Sequence, residues 1–149
     1  MKPADAAFNN RAVVADWQDY LDRWAAASND AYARIPCQRD IAYGPRPRQR
    51  LDFFPATTPG RPLITYIHGG YWQWNDKEQQ AFTVAGPLGL DLNVAVIEHS
   101  LAPEVSLSEI IEELRAAMRF ISAYLAQWNC DPHGIISAGT SSGAHLAAC

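Results

Sequence analysis

A Gly-x-Ser-x-Gly pattern at residues 139–143 is the strongest chemical signal in this sequence. A short apolar run precedes it, and small residues that suit the start of a helix follow it. The order of strand, sharp turn and helix is typical of a nucleophile elbow, whose strained turn holds a serine hydroxyl clear of the sheet. Gly139 and Gly143 are expected where a Cβ would collide with the neighbouring strand or helix. Ser141 is therefore the candidate nucleophile, the alternative being a serine in an ordinary turn.

A second signal lies upstream, where an apolar, β-branched run at residues 63–67 leads directly into His-Gly-Gly-Tyr-Trp at residues 68–72. Acyl transfer needs backbone N–H groups aimed at the oxygen that becomes negative, and a glycine-rich loop supplies them because no side chain blocks the approach. In nucleophile-elbow enzymes the N–H of the residue after the nucleophile completes the set. An ordinary Gly-Gly turn is the alternative. The candidate oxyanion donors are Gly70, Tyr71 and Ser142, with His68 and Gly69 in the same loop.

Helices and strands alternate around these two motifs. An apolar stripe of Val13, Trp17, Leu21 and Trp24 predicts a packing helix from about residue 9 to residue 34. The alternation predicts an α/β fold with a mostly parallel sheet, flanking helices and right-handed crossovers. Further predicted elements are an antiparallel edge pair at 39–43 and 50–54, a crossover helix at 78–88, a buried strand at 93–98, a helix with a capping box from 106 to 128, a loop at 129–134 and the elbow strand after it.

Composition bounds the class of protein. The chain has 149 residues, 48% hydrophobic and 19% charged, with a net charge of −4 and a pI near 5.5. These values are ordinary for a globular domain and argue against a nucleic-acid or anionic-membrane partner. No apolar run reaches the ~20 residues that span a bilayer, and the first residues lack a secretory apolar segment. Three scattered cysteines imply no disulfide framework, so we expect a cytoplasmic protein.

Two motif classes are not found. There is no Gly-x-x-x-x-Gly-Lys-Ser/Thr phosphate loop and no Gly-x-Gly-x-x-Gly dinucleotide fingerprint in the sequence. Cys130 and His133 have a spacing seen in zinc sites, but no second ligand pair accompanies them, so no metal site is expected.

Four stretches in order carry a resemblance to a known family. They are Asn-Asn-Arg at 9–11, Ala-Tyr-Gly-Pro at 42–45 with Gln-Arg-Leu-Asp at 49–52, the His-Gly-Gly-Tyr-Trp loop, and Ser-Ser-Gly-Ala-His-Leu at 141–146. Together with Leu-Ala-Pro-Glu at 101–104, they resemble the arylformamidase (kynurenine formamidase) group within the hormone-sensitive-lipase-like branch of the α/β-hydrolases. Tyr71, where lipase-like esterases often have a third glycine, favours the formamidase group.

The resemblance implies the α/β-hydrolase fold and hydrolysis of an N-formyl arylamine, classically N-formylkynurenine in tryptophan breakdown. Ser141 would be the nucleophile, the substrate a small molecule, and no metal or cofactor would take part. A homodimer is left open. Many members have Asp-Tyr-Arg where this chain has Glu98, His99 and Ser100, and we expect no catalytic role for these three residues.

The triad is expected to be incomplete within these 149 residues. In α/β-hydrolases the acid and the histidine follow the serine in chain order, and the sequence ends inside the helix that begins at Ser142. The chain is thus interpreted as the N-terminal part of a single domain, truncated after the elbow, with a helical segment at 1–36 and a sheet core at 37–149. Alone it is expected to be inactive, and poorly soluble because the elbow strand would have an unpaired edge. The four histidines present are not expected to serve as the base.

Two further readings of the function stay open. One is a carboxylesterase that acts on short acyl or aryl esters, and the other is a non-catalytic remnant. Trp72 and Trp74, beside Tyr71 in the glycine loop, would suit an aromatic substrate under either enzymatic reading, although they could equally pack over the loop.

Overall fold

The computed structural model describes residues 13–149, so the Asn-Asn-Arg stretch at 9–11 lies outside the described residues. Five strands form one sheet in the order β1-β2-β4-β3-β5. Within residues 13–149, four α-helices and one 3₁₀-helix accompany the strands. The elements in chain order are α1 (Trp17–Arg34), β1 (Gln38–Ala42), β2 (Arg50–Phe54), β3 (Arg61–Ile67), the 3₁₀-helix (Glu78–Val84), α2 (Ala85–Gly89), β4 (Asn93–Ile97), α3 (Leu107–Tyr124), β5 (Cys130–Gly139) and α4 (Ser142–Ala147).

The sheet has a parallel half and an antiparallel half. β3 runs parallel to both β4 and β5, whereas β2 runs antiparallel to β1 and β4. The predicted antiparallel pair at a sheet edge is therefore confirmed, and so is the α/β class. The registers align Ile67 with Ile97 on one side and with Gly139 on the other. Because these three residues end parallel strands, the loops that follow them emerge at the same edge of the sheet.

The core lies on both faces of the sheet. All five residues of β4 are buried, as predicted for a strand covered on two sides. On one face α3 packs on the sheet through residues such as Ile110 and Ile121, and Phe53 stacks on Trp128 with ring centroids 4.4 Å apart. The other face carries Phe54, Val94 and Val96, covered by residues of α1 and the 3₁₀-helix. The glycine loop and the elbow thus rest on a sheet packed from both sides.

Helix α3 begins as the sequence predicts. The side chain of Ser106 accepts from the Glu109 N–H and the Glu109 side chain accepts from the Ser106 N–H, which completes a capping box. The regular helix ends at Tyr124 rather than at the predicted Trp128, although the Trp128 N–H still donates to the Tyr124 carbonyl at 3.0 Å. Residues 125–128, predicted as the last turn of the helix, therefore form a hydrogen-bonded turn that follows the regular helix.

The predicted crossover helix is two helices. A 3₁₀ segment at Glu78–Val84 passes directly into α2, and Pro87 lies inside that short helix instead of ending it. Proline is tolerated there because the first-turn N–H groups of a helix have no intrahelical partner.

The apolar stripe predicted on the N-terminal helix is only partly buried. Val13 is 78% exposed, and Trp24 is 39% exposed while its ring stacks on Phe82. The residues of α1 that are buried are Ser28 and Ala31, near its C-terminal end. The predicted packing face is therefore present but only half-buried at Trp17 and Leu21, and the helix is fully buried only further along, near its C-terminal end.

Strand β5 begins earlier than predicted. Arg61 pairs with Cys130, but Leu63 already pairs with Ile135, so β5 bulges out between those two pairs. Asp131 stabilises the bulge by accepting the His133 N–H at 2.9 Å. The predicted loop at 129–134 is therefore largely an irregular part of the strand. Within the described residues β5 pairs only with β3.

No helix in the described part of the chain combines the length and apolar character that a membrane span requires.

Candidate active site

Ser141 lies at the sharp turn between β5 and α4. Its backbone has φ 54° and ψ −121°, a conformation that costs free energy in a residue with a Cβ. A Cβ at Gly143 would lie 2.2 Å from the carbonyl oxygen of Ile67, and one at Gly139 would lie 2.4 Å from the backbone of Gly143. Both glycines therefore stand where the backbones of strand and helix cross too closely for a side chain. This is the elbow geometry that the spacing predicts, and Ser141 is exposed at its tip.

The glycine loop lies directly against this turn. A Cβ on Gly69 would lie 2.6 Å from the Thr140 carbonyl oxygen and 3.3 Å from the Ser141 Cβ. The Trp72 N–H donates to the Ser142 hydroxyl at 3.3 Å. The register of β3 between β4 and β5 thus brings the two sequence motifs together, although they are some 70 residues apart.

The backbone of the loop is strained. Gly70 has φ 127°, and Tyr71 and Trp72 follow with φ 56° and 59°. A Cβ on Gly70 would lie 2.2 Å from the Trp74 carbonyl oxygen. Gln73 and Trp74 both donate their N–H groups to the Gly70 carbonyl at 2.9 Å, which folds the loop into a tight turn.

The predicted oxyanion donors lie in the glycine loop (Gly70 and Tyr71) and at the first residue of α4 (Ser142). Among the described residues, the backbone N–H groups of Gly70, Tyr71 and Ser142 donate no backbone hydrogen bond in a turn, loop or cap. Ser142 is the first residue of α4, where the helix leaves its first N–H groups unpaired. The roles of Gly70, Tyr71 and Ser142 in binding an oxyanion stay predictions.

His68 does not face the serine. It is fully buried, its Nε2 donates to Glu98 Oε1 at 2.9 Å, and its Nδ1 lies 2.9 Å from the Gly69 carbonyl oxygen. The ring of His99 stacks on it with centroids 4.3 Å apart. Both imidazoles therefore belong to the support beneath the glycine loop.

The other histidines are also accounted for. His133 is exposed on the bulge of β5, at the opposite end of the sheet from the elbow. His145 is exposed and meets the Trp72 ring edge-on, with ring centroids 5.5 Å apart. No hydrogen bond joins a histidine of residues 13–149 to the Ser141 side chain.

Aromatic side chains surround the mouth of the loop. Tyr71 is 62% exposed and Trp74 51% exposed, and their rings stack with centroids 6.3 Å apart. Trp72 is half-buried, and its indole Nε1 has no hydrogen-bond partner among the described residues. An apolar aromatic surface therefore lies next to Ser141, whereas the role of Trp72 and Trp74 in binding substrate stays a prediction.

The described residues form no candidate metal site. Residues 13–149 contain no group of three or more His, Cys, Asp and Glu side chains that could hold an ion. Cys130 is buried, and burial raises the pKa of its thiol to about 11, which disfavours the thiolate that binds metals.

The family model BD-FAE matches residues 51–149, which include both motifs of the site. The chain belongs to this family. It is also similar to named hydrolases: it is 30% identical over 111 residues to the kynurenine formamidase of Danio rerio, and 29% identical over 114 residues to the isoprenylcysteine alpha-carbonyl methylesterase ICME of Arabidopsis thaliana. These alignments cover 73% and 75% of this chain but only 36% and 27% of the relatives.

Solved structures agree on the fold. A candidate thioesterase from Silicibacter sp. TM1040 superimposes with a TM-score of 0.84 at 31% identity, covering 96% of this chain and 53% of that one. Esterase B from Lactobacillus rhamnosus superimposes with a TM-score of 0.70 at 25% identity, covering 91% and 46%. The chain therefore has the α/β-hydrolase fold of these esterases, and it spans about a third or less of the curated relatives it matches.

Sequence reasoning missed the importance of Glu98. It assigned no catalytic role to Glu98, His99 and Ser100, and the structure places none of them at Ser141. It does place Glu98 under the glycine loop, where its carboxylate accepts from His68. The sequence around either residue carries no signal for this contact. It follows from the register of the structure, in which parallel β3 and β4 end level at Ile67 and Ile97, so that the next residues of both strands are neighbours.

Proposed function

We propose that the protein hydrolyses an N-formyl arylamide of the N-formylkynurenine type through a covalent formyl-enzyme on Ser141. The observation that supports this most is the contact between the elbow and the glycine loop, where Gly69 packs against the Ser141 Cβ. Similarity to kynurenine formamidases and the aromatic surface formed by Tyr71 and Trp74 support an aryl formamide as substrate.

In the proposed reaction the Ser141 hydroxyl attacks the formyl carbon, and its proton passes to a general base that is not among residues 13–149. The N–H groups of Gly70, Tyr71 and Ser142 bind the oxyanion of the tetrahedral intermediate. The base returns the proton to the amide nitrogen as the C–N bond breaks, and the neutral arylamine leaves. Water then attacks the formyl ester, releasing formate and restoring the serine. Without a base, the 149-residue chain alone is proposed to have only residual activity.

The test is replacement of the nucleophile in the protein as its source expresses it. Ser141→Ala should remove nearly all turnover of N-formylkynurenine, because the two neighbouring hydroxyls are engaged elsewhere: that of Thr140 with the Tyr66 hydroxyl and that of Ser142 with the Trp72 N–H. Ser122→Ala is the matched control, since that hydroxyl lies on the exposed face of α3 and donates to the Met118 carbonyl of its own helix. If Ser141→Ala retained a tenth of the wild-type rate, Ser141 would not be the nucleophile.

A carboxylesterase is the second candidate, favoured by the likeness to a methylesterase and to esterase B. Comparing kcat/KM on N-formylkynurenine and on p-nitrophenyl acetate separates the two. Ester turnover faster by several decades would count against the formamidase. A cytoplasmic location and a small-molecule substrate also stay predictions.

A further inference from the structure

The carboxylate of Glu98 holds both ends of the segment that contains the glycine loop. Its Oε1 accepts from His68 Nε2 at 2.9 Å, at the start of the segment. Its Oε2 accepts from the backbone N–H of Lys77 at 2.9 Å, at the end of the segment. Residues 68–77 are therefore closed into a loop by one side chain, that of the residue directly after β4.

The middle of the same loop is fixed through Arg48. Its guanidinium donates to Glu98 Oε1 at 2.7 Å and to the carbonyl oxygen of Asn75 at 2.7 Å. The side chain of Asn75 in turn donates to the Gly69 carbonyl at 3.0 Å, across the loop. A continuous set of hydrogen bonds thus runs from Glu98 to the backbone beside Ser141.

Glu98 is suited to this task because it remains charged while buried. Only 5% of the residue is exposed, and burial alone would raise its pKa. The hydrogen bond and charge of His68, with the charge of Arg48, outweigh burial and lower the pKa of Glu98 below its ordinary value. A buried carboxylate accepts several charge-assisted hydrogen bonds at once, which a neutral side chain cannot do.

We propose that Glu98 is a positioning residue for the oxyanion hole, setting the direction of the Gly70 and Tyr71 N–H groups through its bonds to His68 and Lys77. The proposal rests on the proposed function, since it assigns a role within that site. Oxyanion stabilisation depends on donors that are already oriented before the reaction, so a loop released at both ends should bind the transition state less well than the substrate.

The test is Glu98→Gln in the protein as its source expresses it. If the amide oxygen keeps the His68 bond, the amide NH₂ faces the Lys77 N–H, and the end of the loop is released. We expect kcat to fall about 10²-fold, the effect of losing an oxyanion donor, with KM for N-formylkynurenine within about threefold of wild type. Inhibition by an aryl boronic acid, which mimics the tetrahedral intermediate, should weaken in parallel with kcat.

Glu113→Gln is the matched control. Glu113 is also a buried carboxylate, bonded to Arg46 at 3.1 Å and to the Ser100 N–H at 2.8 Å, but it makes no bond to residues 68–77. Glu113→Gln should keep kcat and boronate inhibition near wild type. If Glu98→Gln does not fold, Glu98→Asp keeps the charge but is too short to reach both ends, and a smaller loss of kcat at constant KM is expected.

The outcomes are distinct. Glu98 variants that retain wild-type kcat and boronate inhibition, or that change KM alone, would overturn this inference while leaving the function in place. A wild-type protein that hydrolyses neither formamide nor ester, or full activity in Ser141→Ala, would refute the proposed function and this inference with it.

Discussion

Acidification should destabilise the fold through His99. The ring is buried, with 1% exposure, and its Nδ1 donates to the Ser100 carbonyl oxygen at 2.8 Å. In this tautomer a further proton must enter at Nε2, which has no hydrogen-bond partner among the described residues. The ring also stacks on His68, with Glu98 and Arg48 beside it. Protonation would therefore create a buried, unsatisfied charge.

The size of the effect follows from the pKa. Burial, with the charge of His68 as a further cause, lowers the pKa of His99 from 6.5 to about 4. Since the unfolded chain takes up the proton near pH 6.5 and the folded chain only near pH 4, stability is complete above the unfolded pKa and falls between these two values. The full difference corresponds to about 3 kcal/mol, of which about 2 kcal/mol should be lost by pH 5.

The assay compares urea unfolding at pH 7.5 and pH 5 for wild type and His99→Phe, using the protein as its source expresses it. Phenylalanine keeps a flat ring against His68 but cannot titrate, and the lost bond to Ser100 costs the same at both pH values. Wild type should lose about 2 kcal/mol more than His99→Phe over this range. His133→Gln, at an exposed position, should lose as much as wild type. Equal losses in wild type and His99→Phe would refute the reasoning.

Two further substitutions test the packing around the site. Gly143→Ala should lower the free energy of unfolding by about 3 kcal/mol or more, because its Cβ would lie 2.2 Å from the Ile67 carbonyl oxygen. As the control, Gly86→Ala places a Cβ with no atom within 4 Å, so its free energy of unfolding should stay within about 1 kcal/mol of wild type. Equal urea midpoints for these two variants would contradict the elbow packing. Lys77→Met should cost about 3–5 kcal/mol, because the ammonium bonds Asp52 at 3.1 Å and that carboxylate is fully buried. Adding Asp52→Asn should recover part of the loss in the same urea titration, and a double variant less stable than Lys77→Met would contradict the pairing.

Features set by a few neighbouring residues could be predicted from the sequence. The capping box at Ser106 needs only a glutamate three positions later, and Gly139 and Gly143 flank a serine in a spacing that only one tight turn satisfies. The edge pair of β1 and β2 follows from a short turn-rich connection. In each case the determining contacts lie within a few positions along the chain.

Features set by distant partners could not be predicted in the same way. The bulge of β5 depends on how Arg61 and Leu63 pair with it, and the burial of α1 depends on where the 3₁₀-helix lies. Glu98 lies 30 positions from His68 in sequence, and nothing local to either residue shows that they touch. Their contact can be inferred only from the register of β3 and β4.

The place of β3 in the sheet also has a kinetic consequence. β3 lies between β4 and β5, and both partners come later in the chain. During synthesis β3 must therefore wait some 30 residues for its first neighbour and about 70 for its second. Each pairing closes a long loop, and the entropy cost of that closure comes before the strand contacts stabilise the pair. The elbow and the glycine loop come together only with the second pairing. The segments that carry the chemistry are thus brought into place after the antiparallel edge and β4 have given them a surface on which to align.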